Sequence, residues 1–220
     1  GGRLAFFVSG GAALNPDIGS FFLSLGVNIL QGYGQTEASP LISANRPGRI
    51  RIETVGPAVD GVEIKLAGDG ELLARGACLM KGYWRNQEAT AETIIDGWLH
   101  TGDLAQIDAD GFVTITGRKK EMIVNSGGEN IAPSRVEAEF IAEPEIAQIM
   151  VYGDSQPHLV ALIVPSVEIK EVTKAAQRQN ISKAVRRANS RLSGFERVRH
   201  FYIVNDEFTI ENKMLTPTLK

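Results

Sequence analysis

The sequence predicts an α/β segment that ends in a small antiparallel β-rich part, followed by an α+β domain. Three successive textures along the chain carry this reading. In the first, Leu4-Ala5-Phe6-Phe7-Val8 reads as a buried strand and Ser9-Gly10-Gly11 as its turn. Asn15 then caps a helix, with Pro16 at its first position and Gly26 past its end. Val27-Asn28-Ile29-Leu30 is a second short strand that runs into Gly32-Tyr33-Gly34-Gln35-Thr36-Glu37. Strand, turn, helix and strand in that order are the grammar of a parallel sheet.

The texture changes after about residue 54. Val62, Ile64 and Leu66 alternate with polar residues, as do Leu104 with Gln106 and Phe112 with Thr114. Gly and Asp mark turns at 68–70 and 108–111, and Asp110-Gly111 between two short strands signals a hairpin. From Lys120 onward a strand over 120–124 leads through a glycine loop to a helix starting at Pro133 or Ser134, with Val136, Phe140 and Ile141 on one face. Strands follow at 147–152 and 159–164. A basic amphipathic helix then carries Ile181, Val185, Ala188 and Leu192 on one stripe, and a last strand covers 199–204. The boundary falls within Gly117–Lys120. The expected domains are 1–117, divided into an α/β part (1–54) and a β-rich part (55–117), and 118–220. No internal repeat or low-complexity segment interrupts them.

Composition narrows the function. A formal net charge of −3 argues against a strongly basic nucleic-acid surface. Cys78 is the single cysteine, so no internal disulfide forms and a reducing compartment fits. There is no run of apolar residues long enough for a membrane span, and Leu4–Val8 is too short for a signal peptide. The chain opens at Gly1-Gly2-Arg3 without a methionine and closes on Thr216-Pro217-Thr218-Leu219-Lys220, which suggests a piece of a longer protein.

Several short motifs can carry chemistry. Small residues at Ser9-Gly10-Gly11-Ala12 let a flat ligand approach the backbone, although a plain tight turn fits as well. In Gly32–Glu37 the ring of Tyr33 can stack on a base, the Thr36 hydroxyl can bind a phosphate oxygen, and the Glu37 carboxylate can hold Mg²⁺. A buried tyrosine on a polar loop explains the same residues. Asp103, after the Gly97 turn, can accept both hydroxyls of a ribose, while local grammar favours an Asx turn before a strand at 104–108. His100 reads as a packing residue without an acidic partner. His100, His158, His200 and Cys78 lack metal-ligand spacing. The planar fork of Arg118 suits ribose or phosphate oxygens. Lys119, Lys120 and the basic helix face of Lys183, Arg186, Arg187 and Arg191 read as solvated.

Taken in order, "SGGAAL", "QGYGQTE", "GACLMKGYW", "GWLHTGDLA", "GFVTITGRKKEMIVNSGGENIAP" and "FTIENKMLTPTLK" resemble the acyl-adenylate-forming superfamily, the AMP-dependent synthetases and ligases. The resemblance spans essentially the whole chain. "GGENIAP" and "LTPTLK" look most like the long-chain fatty-acid–CoA ligases.

The resemblance implies the end of a large α/β adenylating domain and a small mobile C-terminal domain. It implies ATP-dependent activation of a long-chain fatty acid to acyl-AMP, then transfer to coenzyme A, with ATP/AMP, Mg²⁺ and coenzyme A as ligands. Gly10, Gly11, Ala12, Tyr33 and Gly34 would line the nucleotide pocket. Thr36 would contact phosphate, Glu37 would hold Mg²⁺, and Asp103 and Arg118 would hold the ribose. Lys220 matches the lysine that bridges the attacking carboxylate and the α-phosphate. Lys120 matches the hinge, and Gly127, Gly128 and Glu129 match the loop along which coenzyme A passes. The family's phosphate loop and most of its acyl pocket lie upstream of residue 1, so this piece by itself is expected not to turn over. Leu219 stands where many relatives carry a glycine before the lysine. The resemblance also fits an acyl-AMP ligase that loads a carrier protein, or a non-catalytic nucleotide-binding scaffold. Fatty acid, ATP and coenzyme A are the expected partners and nucleic acid is not. The expected place is the cytoplasm, with peripheral membrane contact compatible with an acyl substrate.

Overall fold

Asn15 starts the first helix as its sequence predicts: its Oδ1 accepts from the amides of Asp17 and Ile18 at 2.8 and 3.3 Å, ahead of Pro16 in the first turn. The computed structural model describes residues 3–12 and 14–216. It divides into two units, 1–120 and 121–220. In the first, β1 (Phe7–Ser9), α1 (Pro16–Ser24), β2 (Ile29–Gly34) and β3 (Leu41–Ala44) form a three-stranded sheet in the order β1-β2-β3. β1 and β2 pair in parallel, so the turns after them leave the sheet at one end. The Leu4–Val8 stretch is the exception to its reading as buried. Leu4, Phe6, Phe7 and Val8 are exposed, as are Ile18 and Phe21 of the helix and Leu25 at its C-cap.

The β-rich part contains β4 (Val62–Leu66), β5 (Glu71–Gly76), α2 (Gln87–Thr93), β6 (Ile94–Ile95), β7 (Trp98–Ile107) and β8 (Val113–Arg118). The ten-residue β7 organises it. β5 pairs with one side of β7, while β6 and β8 share the other. Two Asp-Gly turns flank it. Asp96-Gly97 joins β6 to β7, both residues having positive φ as a tight primed turn requires. Asp108 closes the β7–β8 turn, its Oδ1 accepting from the amides of Asp110 and Phe112 at 2.9 Å. Ala38, Ile42, Ala74 and Leu99 form one apolar cluster, and Val55, Leu72, Ala105 and Val113 another; the Tyr33 ring packs against both. Gly34 has no alternative at its position, since a Cβ there would lie 1.7 Å from the Pro40 carbonyl oxygen.

In the second unit a short ladder of β9 (Ile123–Val124) and β10 (Asn130–Ile131) encloses the glycine loop. Helix α3 (Pro133–Ile141) follows. β11 (Ile146–Tyr152), β12 (Leu159–Pro165) and β13 (Val198–Ile203) form a sheet in that order, with α4 (Val167–Lys170) and α5 (Lys174–Ser190) between the last two strands. Val136 and Phe140 are buried in a single core with Ile163, Ile181, Val185, Ala188 and Leu192. Ile141, expected on the same face, is 49% exposed because it closes the last turn of α3. The basic side of α5 is not a plain solvated face either. Arg187 and Arg191 both pair with the buried Glu143 of the loop after α3, at 2.6 and 2.9 Å. They bind Glu145 and Glu139 as well.

Candidate functional site

The first unit brings three of the expected ligand residues into direct contact. Asp103 lies inside β7 and not in a turn before it, and antiparallel pairing sets it opposite Arg118 of β8. Asp103 is 6% exposed. Its Oδ1 accepts from the Arg118 guanidinium at 3.0 Å, and its Oδ2 accepts from the Tyr33 hydroxyl at 2.5 Å. The Asp103 amide donates to Thr101 Oγ1, whose own hydroxyl donates to the Leu72 carbonyl at 2.7 Å. Burial, then the bond to Asp103, pushes the Tyr33 phenol far above its usual pKa, so it stays a neutral donor. The result is a half-buried aromatic ring, a fixed carboxylate and a part-exposed guanidinium on one small surface.

The glycine turns stand beside it. Gly10 packs against the backbone of Gly32, a Cβ on it falling 3.5 Å from the Gly32 carbonyl oxygen. Gly11 takes φ +84° and, like Ala12, is exposed. This follows from the parallel β1–β2 register, Ser9 against Gln31, which puts the loops after both strands side by side. Thr36 is exposed at the start of a short 3₁₀ turn, Thr36–Ala38. Glu37 in that turn accepts at Oε1 from the Tyr83 hydroxyl at 2.8 Å, and its carbonyl accepts from the Met80 amide. Burial and the Glu37 bond raise the Tyr83 pKa. Tyr83 also lines a shallow groove of about 420 Å³ with Lys81, Gly82, Trp84 and Thr90. Among the described residues no group of three or more His, Cys, Asp or Glu side chains forms a metal cage. The donor set at Glu37, one carboxylate with a hydroxyl next to it, fits Mg²⁺ that arrives coordinated by nucleotide phosphates.

Sequence reasoning missed the group that ties this surface together. Glu71, at the start of β5, is 4% exposed. Its Oε1 accepts from the Gly102 amide at 2.9 Å. Its Oε2 meets Lys119 Nζ at 3.0 Å and His100 Nδ1 at 3.2 Å. Lys119 is therefore not merely solvated: it also pairs with Asp69 at 2.5 Å. His100 does have an acidic partner. Burial alone would raise the Glu71 pKa, but the Gly102 amide, Lys119 and His100 outweigh it and hold the carboxyl below its usual value.

In the second unit, Gly127, Gly128 and Glu129 are exposed on the β9–β10 loop. The loop is shaped by Asn125, which is buried. Its Oδ1 accepts from the amides of Gly127 and Glu129 at 2.9 and 3.0 Å, and its carbonyl accepts from the Gly128 amide. Lys120 is exposed in a 3₁₀ turn, Lys119–Glu121, at the junction of the two units. Lys220 lies outside the described residues.

Comparison with known proteins agrees with the geometry. The family model "AMP-binding enzyme" matches residues 1–84, and "AMP-binding enzyme C-terminal domain" matches residues 120–214. The chain belongs to the AMP-binding enzyme family. It is similar over its whole length to a long-chain-fatty-acid–CoA ligase, FadD15, of Mycobacterium bovis, at 41% identity. It is 33% identical to human long-chain-fatty-acid–CoA ligase 6, again over all of this chain. The chain spans 40% and 36% of the lengths of these two AMP-binding relatives. Among solved structures, the adenylation domain of a Mycobacterium chelonae carboxylate reductase superposes with a TM-score of 0.84 at 27% identity, covering all of this chain and 36% of that one. The A domain of a Segniliparus rugosus carboxylic acid reductase, in complex with AMP and a co-purified carboxylic acid, gives 0.78 at 32% identity, covering all of this chain and 37% of that one. The fold is that of the C-terminal part of an adenylation domain.

Proposed function

We propose that this chain is the C-terminal part of an AMP-forming long-chain fatty-acid–CoA ligase. The observation that carries the reading is the contact of Tyr33, Asp103 and Arg118, a ring and a charged pair of the kind that grips a nucleoside, beside the Gly10-Gly11 and Gly32–Gly34 turns. Tyr33 would offer its ring to adenine, and Gly10, Gly11, Ala12 and Gly34 would let the base lie close to the backbone. Asp103 and Arg118 would hold the ribose. Thr36 would contact phosphate and Glu37 would hold Mg²⁺, which supplies charge neutralisation for the leaving pyrophosphate. In the first step a fatty carboxylate oxygen attacks the α-phosphorus and the bond to pyrophosphate breaks, with Lys220 offsetting the negative charge of nucleophile and electrophile together. In the second, the sulfur of coenzyme A attacks the acyl carbon and the bond to AMP breaks. Lys120 would be the pivot between the steps, where a few dihedrals absorb a rotation of residues 121–220. Gly127, Gly128 and Glu129 would then lie along the path of the thiol.

The chain's relatives are much longer, and the exposed apolar residues of β1 and α1 would be covered by the rest of such a domain. The 220-residue chain alone is therefore expected to release no pyrophosphate; acyl-CoA formation by it would contradict that. The decisive experiment is pyrophosphate release by the complete protein over a series of carboxylic acids of rising chain length, followed by transfer to free coenzyme A. A preference for short or aromatic acids would overturn the long-chain assignment. The likeness to carboxylic acid reductase adenylation domains, one of them solved as an A-PCP didomain, favours a second reading in which a carrier protein accepts the acyl group. Transfer to a carrier but not to free coenzyme A would establish it.

A further inference from the structure

We propose that Glu71 is a positioning residue for the nucleotide grip, fixing Asp103 and Arg118 from behind; this rests on the reading of those two residues as ribose ligands. Its carboxylate is buried and three groups converge on it. One oxygen takes the amide of Gly102, the residue before Asp103. The other takes Lys119, the residue after Arg118, and His100. A single anion thus ties the chain just ahead of one ligand to the chain just behind the other.

The local backbone makes such a tie necessary. Gly102 has φ +73°, and the β5–β7 and β7–β8 ladders both shift register next to it. A strand interrupted by a bulge is free to re-aim the side chain that follows. Here that side chain is Asp103. The bond to Gly102 holds the bulge, while the ion pair with Lys119 holds the end of β8, where Arg118 emerges. Neighbouring residues reinforce the arrangement: the Glu71 amide donates to Asp69, which also binds Lys119, and the Ala105 amide donates to the Gly70 carbonyl. Burial strips the carboxylate of water, a cost that its partners must first offset. What the burial does supply is a fixed direction.

The test is kinetic and uses the complete ligase. Glu71→Ala removes both ties, Glu71→Gln keeps an acceptor for Gly102 but loses the charge, and Lys119→Met removes one arm from a part-exposed position. The expected result is a KM for ATP raised about tenfold or more by Glu71→Ala, less by Glu71→Gln, and with kcat changed far less. Lys119→Met should raise the KM about threefold and add nothing in combination with Glu71→Gln. Loss of thermal stability with an unchanged KM for ATP would overturn the proposal. If the Glu71 variants fail to fold, an unchanged KM in Lys119→Met overturns it equally. Asp103→Ala in the same assay separates the levels. If it raises the KM while Glu71→Ala does not, positioning fails alone; if it leaves the KM unchanged, the nucleotide reading fails and this inference with it.

Discussion

The Tyr33 hydroxyl donates to Asp103 Oδ2 at 2.5 Å across seventy residues of sequence, while Arg118 takes the other oxygen. The expected base-stacking ring and the expected ribose carboxylate are thus parts of one structure. Removing the hydroxyl leaves the ring in place but takes a donor from a nearly buried carboxylate. Tyr33→Phe in the complete protein should therefore raise the KM for ATP about fivefold, and Tyr33→Ala considerably more. A parent-like KM in Tyr33→Phe would show that the hydroxyl contributes nothing, and equal effects of the two that the ring adds nothing beyond it.

Glu37 is held by Tyr83 through a 2.8 Å bond, and no group of three or more His, Cys, Asp or Glu side chains forms a metal cage among the described residues. Glu37→Gln keeps the size and the bond to Tyr83 but removes the charge. It should lower pyrophosphate release at least tenfold and raise the Mg²⁺ concentration needed for half-maximal rate. A loss of rate with the Mg²⁺ dependence unmoved would remove Glu37 from the metal site.

On the proposed reading, Lys120 and Asn125 bear on the second half-reaction and not on the first. Asn125 shapes the Gly127–Glu129 loop through two amide bonds to one oxygen. Asn125→Ala should slow thioester formation about tenfold and spare pyrophosphate release, and Asn125→Asp, which keeps an acceptor, should recover much of the loss. Lys120→Pro should show the same split if the proposed rotation depends on the dihedrals that the substitution stiffens. Equal loss of both half-reactions in either variant would sink its assignment.

The elements of this chain that were legible in the sequence are those decided locally. Asn15-Pro16 and the Ile181-Val185-Ala188-Leu192 stripe announce their helices because capping and periodicity involve neighbours along the chain. The Asp110-Gly111 hairpin is also visible, but Asp103, which reads as a turn residue before a strand, lies inside β7, where the hairpin sets it opposite Arg118. The rest depends on long-range register. Glu71 looks like any polar residue after a turn until β5 pairs with β7 and brings Gly102 and His100 to it. Glu143 finds Arg187 forty-four residues away, so a helix face that reads as solvated turns out to be paired. Asn125 is a plain polar residue in sequence and becomes the keystone of the glycine loop only when its side chain is buried.

Two carboxylates give opposite pH signatures of stability. The Glu71 pKa is depressed in the folded chain, so its contribution is complete above the unfolded value and is lost as the pH falls through the native one. Glu137 is the reverse. Burial first, then the nearby charge of Glu121, raises its pKa against the effect of the Val151 amide it accepts at 3.0 Å. A raised native pKa favours folding while the group is protonated, below the unfolded value of 4.5, and costs stability as the pH climbs through the native value. Glu137→Gln keeps the acceptor for Val151 and removes the charge. It should raise the thermal midpoint of residues 121–220 at pH 7, with the gain shrinking to nothing below about pH 4.5. Glu71→Gln should do the opposite in residues 1–120: destabilise at pH 7, and progressively less in acid. Thermal melts of the two variants and the parent across pH 4 to 8 read both slopes, and a gain for Glu137→Gln that is the same at every pH would mean that its charge is not what burial opposes.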